Sequence, residues 1–156
     1  MAQEIERKYL LKGTKWRSLA VGKEYCQGYI PTVGERTVRV RIIGDEGYLT
    51  IKGKTIGRAR SEFEYPIPVE DAREMLNTLC VHPLIEKTRY KIQQGDLTWE
   101  VDEFSGENKG LIIAEVELKT EDQQIDLPDW IDREVTDIKY FNSSLVQHPY
   151  SQWQEK

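Results

Sequence analysis

Apolar and polar residues alternate at period two through most of the chain, and this alternation predicts strands. The first runs to about Leu11, with Ile5, Tyr9 and Leu11 on one face and Glu4, Glu6 and Lys8 on the other. Residues 25–30 form a second, carrying Tyr25, Gln27 and Tyr29 on one face and stopped by Pro31. Residues 37–42 alternate cleanly, and the hairpin signal Gly44-Asp45-Glu46-Gly47 returns the chain along 48–54. Further strands follow at 62–65 (closed by Pro66 and Pro68), 84–92, 97–103 and 111–119. Helical spacing occurs at 71–80, where Ala72, Met75, Leu76 and Leu79 form an apolar stripe suited to core packing. A shorter helical piece is expected around 16–20, and the tail from Ile131 reads as partly helical, packed on the outside. Eight strands, mostly in hairpin order, suggest an antiparallel sheet closed on itself. No repeat, linker or low-complexity stretch divides residues 1–156, so a single domain is expected.

The polar faces are unusual. One face collects Glu4, Glu6, Lys8, Arg39, Arg41, Lys52, Lys54, Glu62, Glu64, Lys87, Arg89, Asp102, Glu115 and Glu117. The other collects Ile5, Tyr9, Val38, Val40, Leu49, Ile51, Phe63, Tyr65, Trp99, Val101, Ala114, Val116 and Leu118. Two arrangements compete. In an ordinary barrel the apolar face points inward and the charges pair in water, each pair contributing a few tenths to about 1 kcal/mol. In an inverted barrel the charges line a tunnel and the apolar faces lie outside under helices. Such a lining costs several kcal/mol per desolvated ion unless the ions meet one another or a guest. The grouping by sign favours inversion: E-x-E, R-x-R, K-x-K, E-x-E, K-x-R, E-x-E. Like charges two apart repel on a bare surface. They make sense where bases hold a polyphosphate and acids hold hard divalent cations that bridge to phosphate oxygens.

Composition narrows the classes. At 38% hydrophobic and 31% charged residues the chain is globular rather than disordered. A net charge of −5 argues against a general nucleic-acid binder. Without an apolar run of spanning length or a signal-peptide plan, no membrane association and a cytoplasmic location are expected. Cys26 and Cys80 give no disulfide framework or metal-ligand spacing, and His82 and His148 form no motif.

The order of the charged motifs is more specific than any one of them. Glu4-Ile5-Glu6-Arg7-Lys8 resembles the E-x-E-x-K signature of the CYTH superfamily, the triphosphate tunnel metalloenzymes. The match continues through Arg39-Val40-Arg41, Lys52-Gly53-Lys54, Arg60-Ser61-Glu62-Phe63-Glu64, Lys87-Thr88-Arg89, Val101-Asp102 and Glu115-Val116-Glu117. It ends with Glu134-Val135-Thr136 and Tyr140-Phe141-Asn142, so it covers essentially the whole chain.

The resemblance implies an eight-stranded antiparallel β-barrel tunnel, mainly β, with a charged interior and a few flanking helices. It implies that Lys8, Arg39, Arg41, Lys52, Lys87 and Arg89 hold a small-molecule triphosphate, with Lys54, Arg58 and Arg60 toward the rim. Glu4, Glu6, Glu115 and Glu117 would hold Mg²⁺ or Mn²⁺, with Glu62 and Glu64 near a second ion or the attacking water, and Asp102 a further acidic ligand. Tyr29 stands where the family places a functional tyrosine, a packed aromatic being the competing reading; Lys8, Tyr29, Glu62, Glu64 and Lys87 are the candidate catalytic groups. The implied activity is metal-dependent hydrolysis of inorganic triphosphate to pyrophosphate and phosphate. The alternatives are a class IV-type adenylate cyclase, hydrolysis of nucleoside or thiamine triphosphate, and a binding module that senses polyphosphate. A homodimer is compatible with this reading.

Overall fold

The computed structural model describes residues 3–57 and 59–155, with side chains from Ile5 onward. The period-two stretches pair into nine strands: β1 (Gln3–Leu11), β2 (Lys23–Ile30), β3 (Thr37–Ile43), β4 (Glu46–Lys52), β5 (Ala59–Ile67), β6 (Ile85–Gln94), β7 (Leu97–Phe104), β8 (Ile112–Glu117) and β9 (Ile131–Val135). Every pairing between them is antiparallel, in the order β5-β4-β3-β2-β6-β7-β8-β1-β9. A further β1–β5 pairing, Glu4 opposite Arg60, closes eight strands into a barrel. Glycine fixes two of its hairpins. Gly44 (φ +60°) and Gly95 (φ +57°) each precede an aspartate in a two-residue turn, supplying the positive φ that a primed turn needs.

The closure explains two departures from the sequence reading. Strand β5 runs through Pro66, which faces Tyr48 of β4. Past Ser61 the other edge of β5 has no paired strand among the described residues, the kind of place where a missing N–H is tolerated. The edge of β1 that β5 leaves is taken by β9, with Lys8 opposite Val135 and Leu11 opposite Ile131. Ile131 and Val135 are four apart, a helical spacing, so the tail does not announce a strand; a vacant edge dictates it.

The barrel is inverted. Apolar residues of β1, β7 and β8 point outward, where Tyr9, Trp99, Val101, Ala114 and Val116 pack under Trp16 and Trp130. The rings meet edge to face, Tyr9–Trp99 at 5.5 Å and Trp99–Trp130 at 5.8 Å. Trp16 is delivered by a single 3-10 turn, Lys15–Ser18, where a helical piece was expected. On the outside of β3 and β4, α1 (Val69–Thr78) lays Ala72 and Leu76 over Val40 and Ile42. A Cβ at Gly47 would come within 2.9 Å of the Ala72 Cβ, so glycine there lets the helix approach. Leu79, counted in the predicted stripe, lies beyond the helix and is exposed. The helix covers only part of this face, leaving Ile51, Phe63 and Tyr65 exposed.

The tail does not simply pack on the outside. Tyr140, Leu145, Val146 and Trp153 cluster with Ile85, Phe104 and Ile113, against which Leu10 and Tyr29 also pack. Leu10, Tyr29, Ile85, Phe104 and Ile113 share strand parity with the inward charges, so the segment carrying α2 (Asn142–Gln147) occupies one end of the barrel. Among the described residues no helix is long and apolar enough to cross a membrane.

Candidate active site

Alternation and barrel closure together bring Glu6, Lys8, Tyr29, Arg39, Arg41, Lys52, Glu62, Glu64, Lys87, Arg89, Glu115 and Glu117 around one cavity of about 680 Å³. The Glu4 side chain and Arg58 lie outside the described residues. Two expected site residues stand elsewhere. Lys54 falls beyond the end of β4, where parity no longer applies; it is largely exposed and pairs with Glu35 at 3.3 Å. Asp102 is 1% exposed and sits behind the cavity wall.

The β6 side of the cavity is internally compensated. Arg89 grips Asp102 with two groups, Nε at 2.6 Å and Nη2 at 2.8 Å. Lys87 Nζ donates to the same carboxylate at 2.7 Å and to Asn142 Oδ1 at 3.1 Å. Burial opposes the Asp102 charge, but Arg89 and Lys87 prevail and hold its carboxyl below the usual range. Lys87 is pushed down to about 7, because burial outweighs Asp102 and neighbouring Arg89 repels its charge. Asp102 makes its two-point contact with Arg89 and only one with Lys87, which is why the lysine is the weaker-held cation.

The β3 side is different. Arg39 and Arg41 are buried, and among the described residues their Nε atoms have no hydrogen-bond partner. Their nearest acid, Glu64, accepts from Arg41 at 3.1 Å, from Arg39 at 3.5 Å and from Thr50 Oγ1 at 2.7 Å. Burial pushes Arg41 down to about 10, and the charges of Arg39 and Arg89 add to this. Tyr25 lies beneath, its ring 5.1 Å from Arg41 and 5.0 Å from Arg89. Further along this side, Lys52 and Glu62 face each other at 3.8 Å.

The acidic side comes from β1 and β8. Their register sets Glu6 opposite Glu117 and Lys8 opposite Glu115. Lys8 Nζ stands between carboxylates, 3.3 Å from Glu6 and 3.2 Å from Glu115. Burial works against its charge, but Glu115 and Glu6 outweigh it and hold the ammonium above the ordinary lysine range. Burial likewise opposes the Glu115 charge, and Lys8, Glu6 and Arg89 hold it well below the usual range.

Among the described residues no three His, Cys, Asp or Glu side chains converge as a ready metal cluster. A lysine ammonium already lies between two of these carboxylates. The carboxylates of Glu6, Glu115 and Glu117 line the same cavity, and their hard oxygens are the donor type that a divalent cation takes.

The candidate set read from the sequence leaves out several lining residues. Lys91 and Glu100 share inward parity and do line the cavity, with Glu100 3.3 Å from Arg89. Tyr25 shares the parity of Tyr29, a signal available in the sequence. Glu134, Phe141 and Asn142 arrive with the tail, and no local pattern aims them inward.

Comparison with known proteins follows the same lines. The CYTH domain family pattern matches residues 2–150. An inorganic triphosphatase of Acetivibrio thermocellus is 53% identical over 156 residues, covering 99% of this chain and 100% of that one. An inorganic triphosphatase of Nitrosomonas europaea is 38% identical over 153 residues, covering 92% and 96%. Among solved structures, an inorganic triphosphatase superposes with a TM-score of 0.63 at 31% identity, covering 94% of this chain and 95% of that one.

Proposed function

The chain belongs to the CYTH domain family, and on that premise we propose that it is a divalent-metal-dependent inorganic triphosphatase. The observation that carries this reading is the ring of buried arginines and lysines around one cavity, with the Nε groups of Arg39 and Arg41 unpartnered among the described residues. A protein leaves buried guanidinium donors unmatched at a cost of about 1–3 kcal/mol each unless a ligand answers them. A planar fork matches phosphate oxygens, and several forks and ammonium groups around one cavity match a compact polyanion.

Arg39, Arg41, Lys52, Lys87, Arg89 and Lys8 bind non-bridging oxygens and fix the three phosphoryl groups in the cavity. Triphosphate draws Arg39 and Arg41 from Glu64, leaving Glu64 and Glu62 at the terminal phosphate to orient water or take a second ion. The water oxygen bonds to the terminal phosphorus as the bridging P–O bond breaks. The bond electrons leave with pyrophosphate, and the water proton passes to a nearby carboxylate and on to solvent. Fixed arginines and lysines stabilise the charge that develops on those oxygens, without covalent participation by the protein. Glu4, Glu6, Glu115 and Glu117 would hold Mg²⁺ or Mn²⁺, which supplies Lewis-acid neutralisation of phosphate charge and a more acidic water. Tyr29 lines the cavity and accepts from Gln27 at 3.2 Å, a place from which its hydroxyl can reach a phosphate oxygen. Asp102, enclosed by Lys87 and Arg89, acts as their counter-ion and not as a metal ligand.

Phosphate release from inorganic triphosphate, ATP and thiamine triphosphate, with cyclic AMP followed in parallel, tests this. The proposal expects hydrolysis of inorganic triphosphate well above the others and its loss on chelation. Cyclic AMP from ATP, or equal turnover with chelator, would contradict it.

A further inference from the structure

The tail brings one polar side chain to a candidate catalytic group. Asn142 opens α2, right after Phe141, and lines the cavity. Its Oδ1 accepts from Lys87 Nζ at 3.1 Å and, at longer range, from Gln27 Nε2 at 3.5 Å. Both partners are donors, so the amide must present its oxygen; the reversed amide would set an NH₂ group against an ammonium. Lys87 is 2% exposed and has three N–H groups. Asp102 and Asn142 take two of them. The rings of Phe104 and Tyr25 flank the ammonium at 5.6 Å and 5.9 Å. One donor is left, and it belongs to a side chain that lines the cavity.

Asn142 holds this place because the tail is anchored further on. Leu145 is fully buried and Val146 nearly so, packed with the inward apolar residues at that end of the barrel. Resting on the triphosphatase reading, we infer that Asn142 is a positioning residue. It aims the remaining N–H of Lys87 at the bound triphosphate, so the site is complete only with the C-terminal segment docked in the barrel. Asp102 alone would leave the ammonium free to turn about one contact. A lysine with two fixed acceptors presents its third N–H in one direction, and small misplacements of such a group are costly in rate.

Asn142→Leu, similar in shape without the acceptor, and Asn142→Asp, which keeps an oxygen there, test the inference on the full chain. For triphosphate hydrolysis we expect Asn142→Leu to lose about 10- to 100-fold in kcat with a much smaller change in KM. Asn142→Asp should recover most of that kcat, and both should melt close to wild type. Full kcat in a folded Asn142→Leu, or loss in Asn142→Asp equal to that in Asn142→Leu, would overturn the inference. Should Asn142→Leu fail to fold, Asn142→Ser, with its hydroxyl drawn back from Lys87, replaces it under the same criteria. If wild type itself does not hydrolyse triphosphate, the functional reading falls. The inference is then judged by crystal structures of wild type and Asn142→Leu with triphosphate: Lys87 Nζ shared between Asn142 Oδ1 and a phosphate oxygen in wild type, and turned off the phosphate in Asn142→Leu, supports it, and the same Lys87 contact in both overturns it.

Discussion

Two basic walls of one cavity, Lys87 with Arg89 on β6 and Arg39 with Arg41 on β3, are held in different ways. On β6, Lys87 and Arg89 share a wholly buried partner, Asp102, at 2.6–2.8 Å. On β3, Arg39 and Arg41 lean on the partly exposed Glu64 at 3.1–3.5 Å and keep unpartnered Nε groups. The first wall carries its own buried counter-ion, so its hydrogen bonds are set before any ligand arrives, although burial still disfavours the Lys87 charge. The second is under-compensated and lends its positive charge to whatever enters. A buried ion pair stabilises only when its partners remain, whereas an unanswered buried cation favours a bound anion.

Changes on the two walls must therefore have opposite signatures. The largest expected effect is on stability: Asp102→Ala removes the buried counter-ion that Lys87 and Arg89 share and should cost about 3–5 kcal/mol in denaturant unfolding. Arg41→Met removes a poorly answered buried cation and should leave stability unchanged or raise it. Activity reverses the order. Arg39→Met or Arg41→Met should reduce triphosphate turnover about 10²- to 10³-fold, measured as phosphate release, while the fold survives.

Ligand stabilisation sharpens the comparison. Triphosphate at 100 times its dissociation constant should stabilise wild type by about 2.7 kcal/mol, and the same concentration should do far less for Arg41→Met. A separate effect is a pH slope. Lys87 in the folded protein releases its proton near 7, whereas an unfolded lysine keeps it to about 10.4. Between those values the unfolded chain binds more protons, so the contribution of this group to stability rises with pH. Wild type measured against Lys87→Met should gain stability across that window, by at most about 1.4 kcal/mol per pH unit. Lys8, held above the ordinary range, slopes the other way, its contribution lost only at strongly alkaline pH.

Much of this was legible in the sequence, because a strand's period of two tells which side chains share a face. The sign-grouped pairs Arg39/Arg41, Lys87/Arg89 and Glu115/Glu117 signalled an inverted barrel, and the fold is one. Most of the misses depend on where strands end and on contacts between distant parts of the chain. Strand β9 exists because β5 leaves part of the β1 edge vacant. Lys54 was carried inward by a parity that ends with β4. Asp102 had the right face, but Lys87 and Arg89 close over it. Asn142 meets Lys87 across 55 residues, a juxtaposition that no local pattern encodes.

A crystal structure with triphosphate bound to the metal-free protein tests the central claim most directly. The account predicts the anion inside the barrel, with phosphate oxygens on the Nε groups of Arg39 and Arg41 and Glu64 displaced from them. Triphosphate bound outside the barrel, or inside it with both Nε groups still unpartnered, would contradict it.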